Sequence, residues 1–194
     1  MERPDTHTQL IAKLAEELGL AAGQQLVSSL ADSTTKPNQV DGISLLLDEL
    51  MEVSPKVTRA AIESFPDLQQ RGCLSDAVAW LDLGIVLAES SGAIGLKYFK
   101  ESPLVLGMIE PLSVRSVVLN RALELAERDA NIALEFFRIS PDMVRVIPPD
   151  QFEAWLEIGF ELTQVDFVVA LEYIRQLPAV ARVLPIQQIG RAHV

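Results

Sequence analysis

Apolar side chains recur along most of this chain at the spacing of an amphipathic helix. Trp80, Leu83 and Leu87 stand at i, i+3 and i+7, and the stretch that begins at Trp155 repeats this spacing. No stretch shows the alternation of apolar and polar residues that a half-buried strand requires. The pattern predicts an all-α fold.

The helical pattern is itself repeated. Residues 95–103 (GLKYFKESP), 133–141 (ALEFFRISP) and 170–178 (ALEYIRQLP) align, with their prolines 38 and then 37 residues apart. Further upstream, residues 79–84 (AWLDLG) match residues 154–159 (AWLEIG). Repeats of this length are typical of helical hairpins that stack on one another.

The repeat divides the chain into regions. We predict three helical repeats of about 37–38 residues over 71–188, which form a short α-solenoid similar to tetratricopeptide (TPR) or HEAT arrays. An N-terminal helical region precedes them over 1–70. Within that region, 32–41 (DSTTKPNQVD) has the composition of a linker, and 47–55 (LDELMEVSP) is a weaker copy of the repeat.

Each unit contains signals for the ends of its helices. Asp129 and Asp166 stand where a side chain can cap the N-terminus of the second helix. The Ser-Pro pairs at 102–103 and 140–141 predict the end of that helix. A short third helix is then expected over 142–147.

Six residues recur in register, and we expect them to form the core of the repeat rather than a binding platform. Small residues allow neighbouring helices to approach closely, and aromatic residues fill the space between them. The six are Trp80, Gly84, Phe99, Phe137, Trp155 and Gly159.

Composition and charge narrow the classes of partner. The 194 residues are 49% hydrophobic and 22% charged, and 16 basic against 27 acidic residues give a net charge of −11. Nucleic acids and anionic membranes attract the opposite sign, so we expect neither as a partner. No run reaches the ~20 apolar residues of a membrane-spanning helix, and the N-terminus does not resemble a signal peptide. We therefore expect a cytoplasmic protein without membrane insertion.

Few residues could carry chemistry. One cysteine and two histidines are too few for a standard structural zinc site. The common nucleotide-binding, hydrolase and metalloprotease motifs are missing from the sequence. We expect no cofactor, no metal and no enzymatic activity.

Two charged rows are candidate partner-binding residues. Lys100, Arg138 and Arg175 share one repeat position and form either a basic ladder for an acidic partner or cations that stabilise helix C-termini. The second row lies on one face of a single helix and forms either a site for a basic partner or a solvated surface. It consists of Glu153, Glu157 and Glu161.

Two phrases, ALEFFRISPDMV (133–144) and FEAWLEIGFEL (152–162), carry a resemblance to a known family. They resemble the helical repeat region in front of the von Willebrand factor A domain in bacterial proteins of the nitric-oxide-reductase activation and rubisco-activase adaptor types. Those proteins partner MoxR-type AAA+ ATPases. The resemblance covers about 77–184 and implies a scaffold or adaptor role. In that family the metal site belongs to the downstream domain, so no metal-site residue is carried over.

The last six residues, 189–194 (IGRAHV), can be back-translated together with Gln188 into a string that resembles a sequencing adapter. We therefore expect a non-native tail and a natural chain that continues further. The last repeat would then lack a following neighbour. This predicts exposed apolar surface over 167–184 and self-association through the uncapped C-terminal repeat.

Taken as a sequence, the chain favours a non-enzymatic protein-interaction scaffold. The resemblance implies the helical adaptor arm of a von Willebrand A-domain protein that acts with a MoxR-type AAA+ ATPase. The alternative is a stand-alone peptide-binding module similar to a tetratricopeptide domain. A small α-helical enzyme that uses carboxylates is a weaker third alternative.

Overall fold

A computed structural model describes residues 37–183 and seven positions before them, 13, 14, 16, 18, 19, 21 and 24. Within 37–183 the chain forms eight α-helices, one short 3-10 helix (Leu74–Asp76) and no strand. The predicted all-α fold is confirmed. The helices are α1 (Pro37–Val53), α2 (Pro55–Gln70), α3 (Ala77–Ser90), α4 (Gly92–Gly107), α5 (Leu112–Ala126), α6 (Ala130–Val146), α7 (Pro149–Val165) and α8 (Phe167–Ala181).

Successive helices pair into four hairpins that stack in two layers. The odd-numbered helices form one layer, in which α1 packs on α3 and α3 packs on α5. The even-numbered helices form the other layer, in which α2, α4, α6 and α8 pack in that order. This stacking agrees with the predicted short α-solenoid, because each hairpin contacts mainly its neighbours.

Two landmarks recur in all four hairpins. The residue that precedes the even helix recurs at intervals of 37, 38 and 37 residues, and a proline follows each one after 12 residues. The repeat therefore includes the α1–α2 hairpin, and its first copy aligns on Pro66 rather than on Pro55. The residues that precede the even helices are Ser54, Ser91, Asp129 and Asp166, and the prolines are Pro66, Pro103, Pro141 and Pro178.

The aspartates cap their helices as predicted. The carboxylate of Asp129 accepts the backbone N–H groups of Asn131 at 2.8 Å and Ile132 at 3.0 Å. Asp166 makes the equivalent pair of bonds at the start of α8. Each aspartate thereby satisfies donors that have no partner within the helix.

The prediction that Ser-Pro pairs end helices is wrong. Pro103 and Pro141 lie inside α4 and α6, and the third helix expected over 142–147 is the last part of α6. A proline removes one hydrogen bond from the helix, but apolar residues are buried on both sides of it and keep the helix continuous. Residues 37–41, predicted as part of a linker, likewise begin α1, and 32–36 lie outside the described residues.

The predicted core residues are buried in the structure. The rings of Phe65, Trp80, Phe99, Tyr98 and Phe137 make successive edge-to-face contacts, with centroids 4.8–5.4 Å apart. This chain of rings joins α2, α3, α4 and α6, so the aromatic core crosses three hairpins. Trp155 and Gly159 hold the equivalent core positions in α7.

Small residues were predicted at one position of α3, α5 and α7, and in α3 and α7 this residue lets the even helix of the same hairpin approach. A Cβ atom on Gly84 would collide with Cζ of Phe99 and would stand 2.7 Å from both Cε atoms of that ring. A Cβ atom on Gly159 would stand 3.2 Å from Cε1 of Tyr173. Glycine is required most strictly at position 84, because the ring of Phe99 lies closer to it than the ring of Tyr173 lies to Gly159.

Candidate functional site

Charge is distributed unequally between the two layers. The odd helices carry eleven acidic side chains and two arginines, whereas the even helices carry six acidic and seven basic side chains. The negative charge of the described helices therefore belongs to the odd layer, which we call the acidic layer. A surface of one sign attracts a partner of the opposite sign.

Both arginines of the acidic layer are engaged within the protein. Arg115 is 3% exposed. Arg121 pairs with Glu124 at 2.8 Å and with Glu157 at 3.2 Å, and its guanidinium carbon lies 5.1 Å from the centroid of the Phe160 ring.

Lys13 pairs with Asp48 at 2.7 Å and with Glu52 at 2.8 Å, so four of the eleven carboxylates have a cation. Of the seven that form no ion pair among the described residues, six are exposed, and their charge is available to a partner.

The predicted basic row does not form a free ladder. Arg138 makes a two-pronged pair with Glu101, with both N–O distances at 2.6 Å, and Arg175 Nε lies 3.1 Å from Glu135. These pairs join α4 to α6 and α6 to α8. Lys100 is exposed and has no ion pair among the described residues. Because the helices continue past their prolines, the expected position at helix C-termini is wrong, and both arginines connect successive hairpins.

The predicted acidic row lies on the acidic layer. Glu153, Glu157 and Glu161 are all exposed on α7. Glu157 is the partner of Arg121, whereas Glu153 and Glu161 form no ion pair within the described part of the chain. These two carboxylates are the members of the row that a basic partner could neutralise.

A cleft of about 240 Å³ opens between the first turns of α5 and α7. Its walls include Val114, Val117 and Phe152, which are apolar, while Asp150 and Glu153 stand at its rim and are exposed. Its volume is below the ~300 Å³ at which small-molecule sites begin. The cleft is suited to a side chain rather than to a metabolite.

Two larger cavities are more open. One of about 530 Å³ lies at the turns of the second and third hairpins, where Glu89, Glu127 and Asp129 contribute to its walls. The other, of about 320 Å³, lies beside Trp155 and Arg182.

A buried polar cluster that the sequence analysis missed joins α5 to two interhelical connections, the one before α3 and the one before α5. The Arg115 side chain donates to the carbonyl oxygens of Ile109 at 3.0 Å and Gly72 at 3.1 Å, and lies 3.8 Å from Asp76. Burial raises the pKa of Asp76, and the charge of Arg115 opposes that shift. Burial also raises the pKa of the Cys73 thiol. The only signal in the sequence was a charged residue at a core position of the repeat.

One carboxylate has a raised pKa on the acidic layer. Burial, and secondly the negative charge of Glu49 on α1, raise the pKa of Asp82 on α3. Neither residue lines the three cavities above. Among the described residues, no group of three His, Cys, Asp or Glu side chains is placed to hold a metal ion.

The last helix exposes apolar side chains. Val168 and Val169 are 77% and 49% exposed, and Val183 is 77% exposed. The equivalent of Val169 in the preceding hairpin, Ile132, is only 5% exposed. Ala170, Ile174 and Leu177 face inward. The side chain of Phe167 and all of Leu184, which belonged to the predicted apolar surface, lie outside the described residues, as does 189–194.

Comparison with protein-family models, with curated proteins and with solved structures finds no match for this chain. Within the described residues, none of the helices combines the length and the apolar character needed to cross a membrane.

Proposed function

We propose that this protein is a non-enzymatic interaction scaffold and that its acidic layer binds a basic segment of a partner protein. The unequal charge of the two layers is the observation that carries this proposal. A repeat array presents one helix from every hairpin along the same side, so a long partner segment meets the same sign of charge at each step.

Two further observations support a scaffold. The predicted core residues and two members of the basic row, Arg138 and Arg175, serve the packing of hairpins. On the acidic layer, exposed carboxylates such as Glu49, Glu153 and Glu161 form no ion pair among the described residues. A groove lined by polar and basic side chains would favour a general peptide-binding module, whereas the odd helices carry mainly acidic ones. The proposal includes a cytoplasmic location.

A narrower form of the proposal follows from the resemblance of residues 133–144 and 152–162. In this form, the partner is a MoxR-type AAA+ ATPase and the chain is the helical arm of a von Willebrand A-domain protein. The test is direct binding between the purified chain and such an ATPase from the same source. Failure of the ATPase to bind the chain would contradict the narrower form only, because the general proposal does not depend on this particular partner.

The general proposal is tested with two variants that change the net charge equally. The first variant replaces Asp41 with Asn and both Glu49 and Glu89 with Gln, which removes three charges from the acidic layer. The matched control neutralises Glu63, Asp67 and Glu172 on the even helices in the same way. Both are titrated with a labelled helical peptide of lysine and alanine at low and moderate salt. We expect the first variant to bind several-fold more weakly than the control, and equal affinities would refute the proposal.

A further inference from the structure

Each contact between successive helices of the odd layer is called a step, and the α5–α7 step differs from the α1–α3 and α3–α5 steps. The backbones of α1 and α3, and of α3 and α5, lie close together, whereas α5 and α7 make almost no close backbone approach. The sequence supplies a reason. At the α1–α3 step, Gly42 faces Val78, and a Cβ atom on the glycine would stand 3.6 Å from Cγ2 of that valine. Repeat spacing places Val117 and Glu153 at the equivalent positions of α5 and α7.

A bulkier side chain and a charge therefore replace a glycine–valine contact. A branched apolar side chain and a carboxylate do not pack as closely, and the carboxylate stays in water because its burial would be costly. Val117 and Glu153 both line the cleft that results. Val117 remains half-buried at this position, which leaves apolar surface for a partner.

One turn further along both helices, the chain shows how a cation is held beside this cleft. Arg121 follows Val117 by four residues and Glu157 follows Glu153 by four residues. There the guanidinium of Arg121 pairs with Glu157 and covers the ring of Phe160. At the level of Val117, the opposing carboxylate of Glu153 has no cation among the described residues.

We propose that the α5–α7 cleft takes one apolar side chain of a basic helical segment from a partner protein, and that Glu153 and Asp150 pair with lysine or arginine on the same segment. This inference rests on the proposed function and adds the place and chemistry of its anchor. The apolar walls select the anchor side chain, and the acidic rim selects its charged neighbours. A segment with lysines but no large apolar residue fills only half of this site.

The test uses two labelled 16-residue helical peptides of equal charge, one of leucine and lysine and one of alanine and lysine. We expect the leucine peptide to bind at least tenfold more tightly to the full chain. Val117→Phe, which fills the cleft, should remove that advantage and leave the alanine peptide unaffected. The matched control is Leu104→Phe, an exposed position on α4. Glu153→Gln should weaken both peptides, whereas Glu63→Gln on α2 should not.

Methyl resonances of Val114 and Val117 give a second readout that does not depend on the variants. We expect them to shift on addition of the leucine peptide and not of the alanine peptide. Equal affinity of the two peptides, or unchanged methyl resonances, would overturn the cleft proposal. If the acidic-layer variant described above still binds more weakly than its control, the scaffold proposal survives that result. If both triple variants bind equally, the scaffold proposal fails as well.

Discussion

The hydroxyl oxygen of Ser64 lies 2.8 Å from the carbonyl oxygen of Phe99, which is the acceptor that Pro103 leaves without its helical donor. Because proline has no N–H group, the carbonyl four residues earlier loses its bond. Ser64 belongs to α2, and its hydroxyl also lies 2.8 Å from the carbonyl oxygen of Ala60 in its own helix. Its single proton is therefore shared between an acceptor in α2 and the Phe99 carbonyl of the next hairpin. The hydroxyl of Ser102 lies 3.5 Å from the same oxygen and is a weaker second donor.

We expect Ser64→Ala to destabilise the protein by about 1–3 kcal/mol, the usual result of leaving a buried acceptor unpaired. Ser44 provides a matched control, because its hydroxyl is buried and makes no hydrogen bond within the described residues. Ser44→Ala removes an unpaired polar group and should be neutral or stabilising. Chemical denaturation of both variants measures the difference, and equal losses would contradict the role of Ser64.

A second prediction concerns the glycine in α3. Gly84→Ala should destabilise the protein, because the new methyl group overlaps the Phe99 ring. The expected loss exceeds the ~1 kcal/mol that alanine gains over glycine inside a helix. Gly42→Ala on α1 has ordinary contact distances and should be neutral or stabilising. A Gly84→Ala variant that is rescued by Phe99→Leu in a melting experiment would identify the ring as the cause.

A third prediction concerns pH and Asp82. Its raised pKa means that the folded state binds the proton more tightly than the unfolded state does. The free energy of unfolding therefore contains a contribution that is present at pH values below the ordinary pKa of 3.8 and is lost as the pH rises through the raised pKa. Asp82→Asn should then melt at a higher temperature than the wild type near pH 7.

The same variant should approach the wild type below pH 4, where the carboxyl is protonated in both states. Glu89→Gln is the control, since it removes an exposed charge from the same helix. Melting temperatures of the three proteins from pH 3 to pH 8 provide the measurement. A gap between Asp82→Asn and the wild type that is constant over this range would argue against the raised pKa.

A fourth prediction concerns self-association. Val168 and Val169 expose apolar surface on α8, and exposed apolar groups favour association in water. We expect the chain to form dimers or larger species in sedimentation velocity runs at high concentration. Val168→Lys together with Val169→Lys should reduce this association. Exposed Leu104 on α4 gives a control in Leu104→Lys, and a wild-type chain that stays monomeric would refute the prediction.

The sequence predicted the helices and most of the core because both depend on local spacing. Trp80 and Trp155 recur at one position of the repeat, and the Asp129 and Asp166 caps require only the neighbouring residues. The continuity of α4 through Pro103 could not be predicted in this way. It depends on contacts that exist only in the fold, which are the apolar burial on both sides of the proline and the hydrogen bond from Ser64, 39 residues away in the sequence.

The candidate site was predicted in part for the same reason. Glu153, Glu157 and Glu161 were recognised as a row, because they share one face of α7. Glu157 differs from its two neighbours, which form no ion pair among the described residues, because Arg121 on another helix reaches it. The partners of Arg138 and Arg175 were also missed, since Glu101 and Glu135 stand at different positions of the repeat and the pattern cannot show which one an arginine reaches.

The α5–α7 step, where the two backbones do not approach closely, also affects how the last hairpin, α7–α8, is held. The last hairpin is held through α6 and α8 in the even layer and, on the odd side, by side-chain contacts that include the Arg121–Glu157 pair and the bond from Arg128 to Thr163. We expect this arrangement to let the last hairpin rotate about an axis along the even layer. A ligand in the cleft would restrain rotation about that axis, so binding would slow amide hydrogen exchange throughout α7, including turns that the ligand never touches.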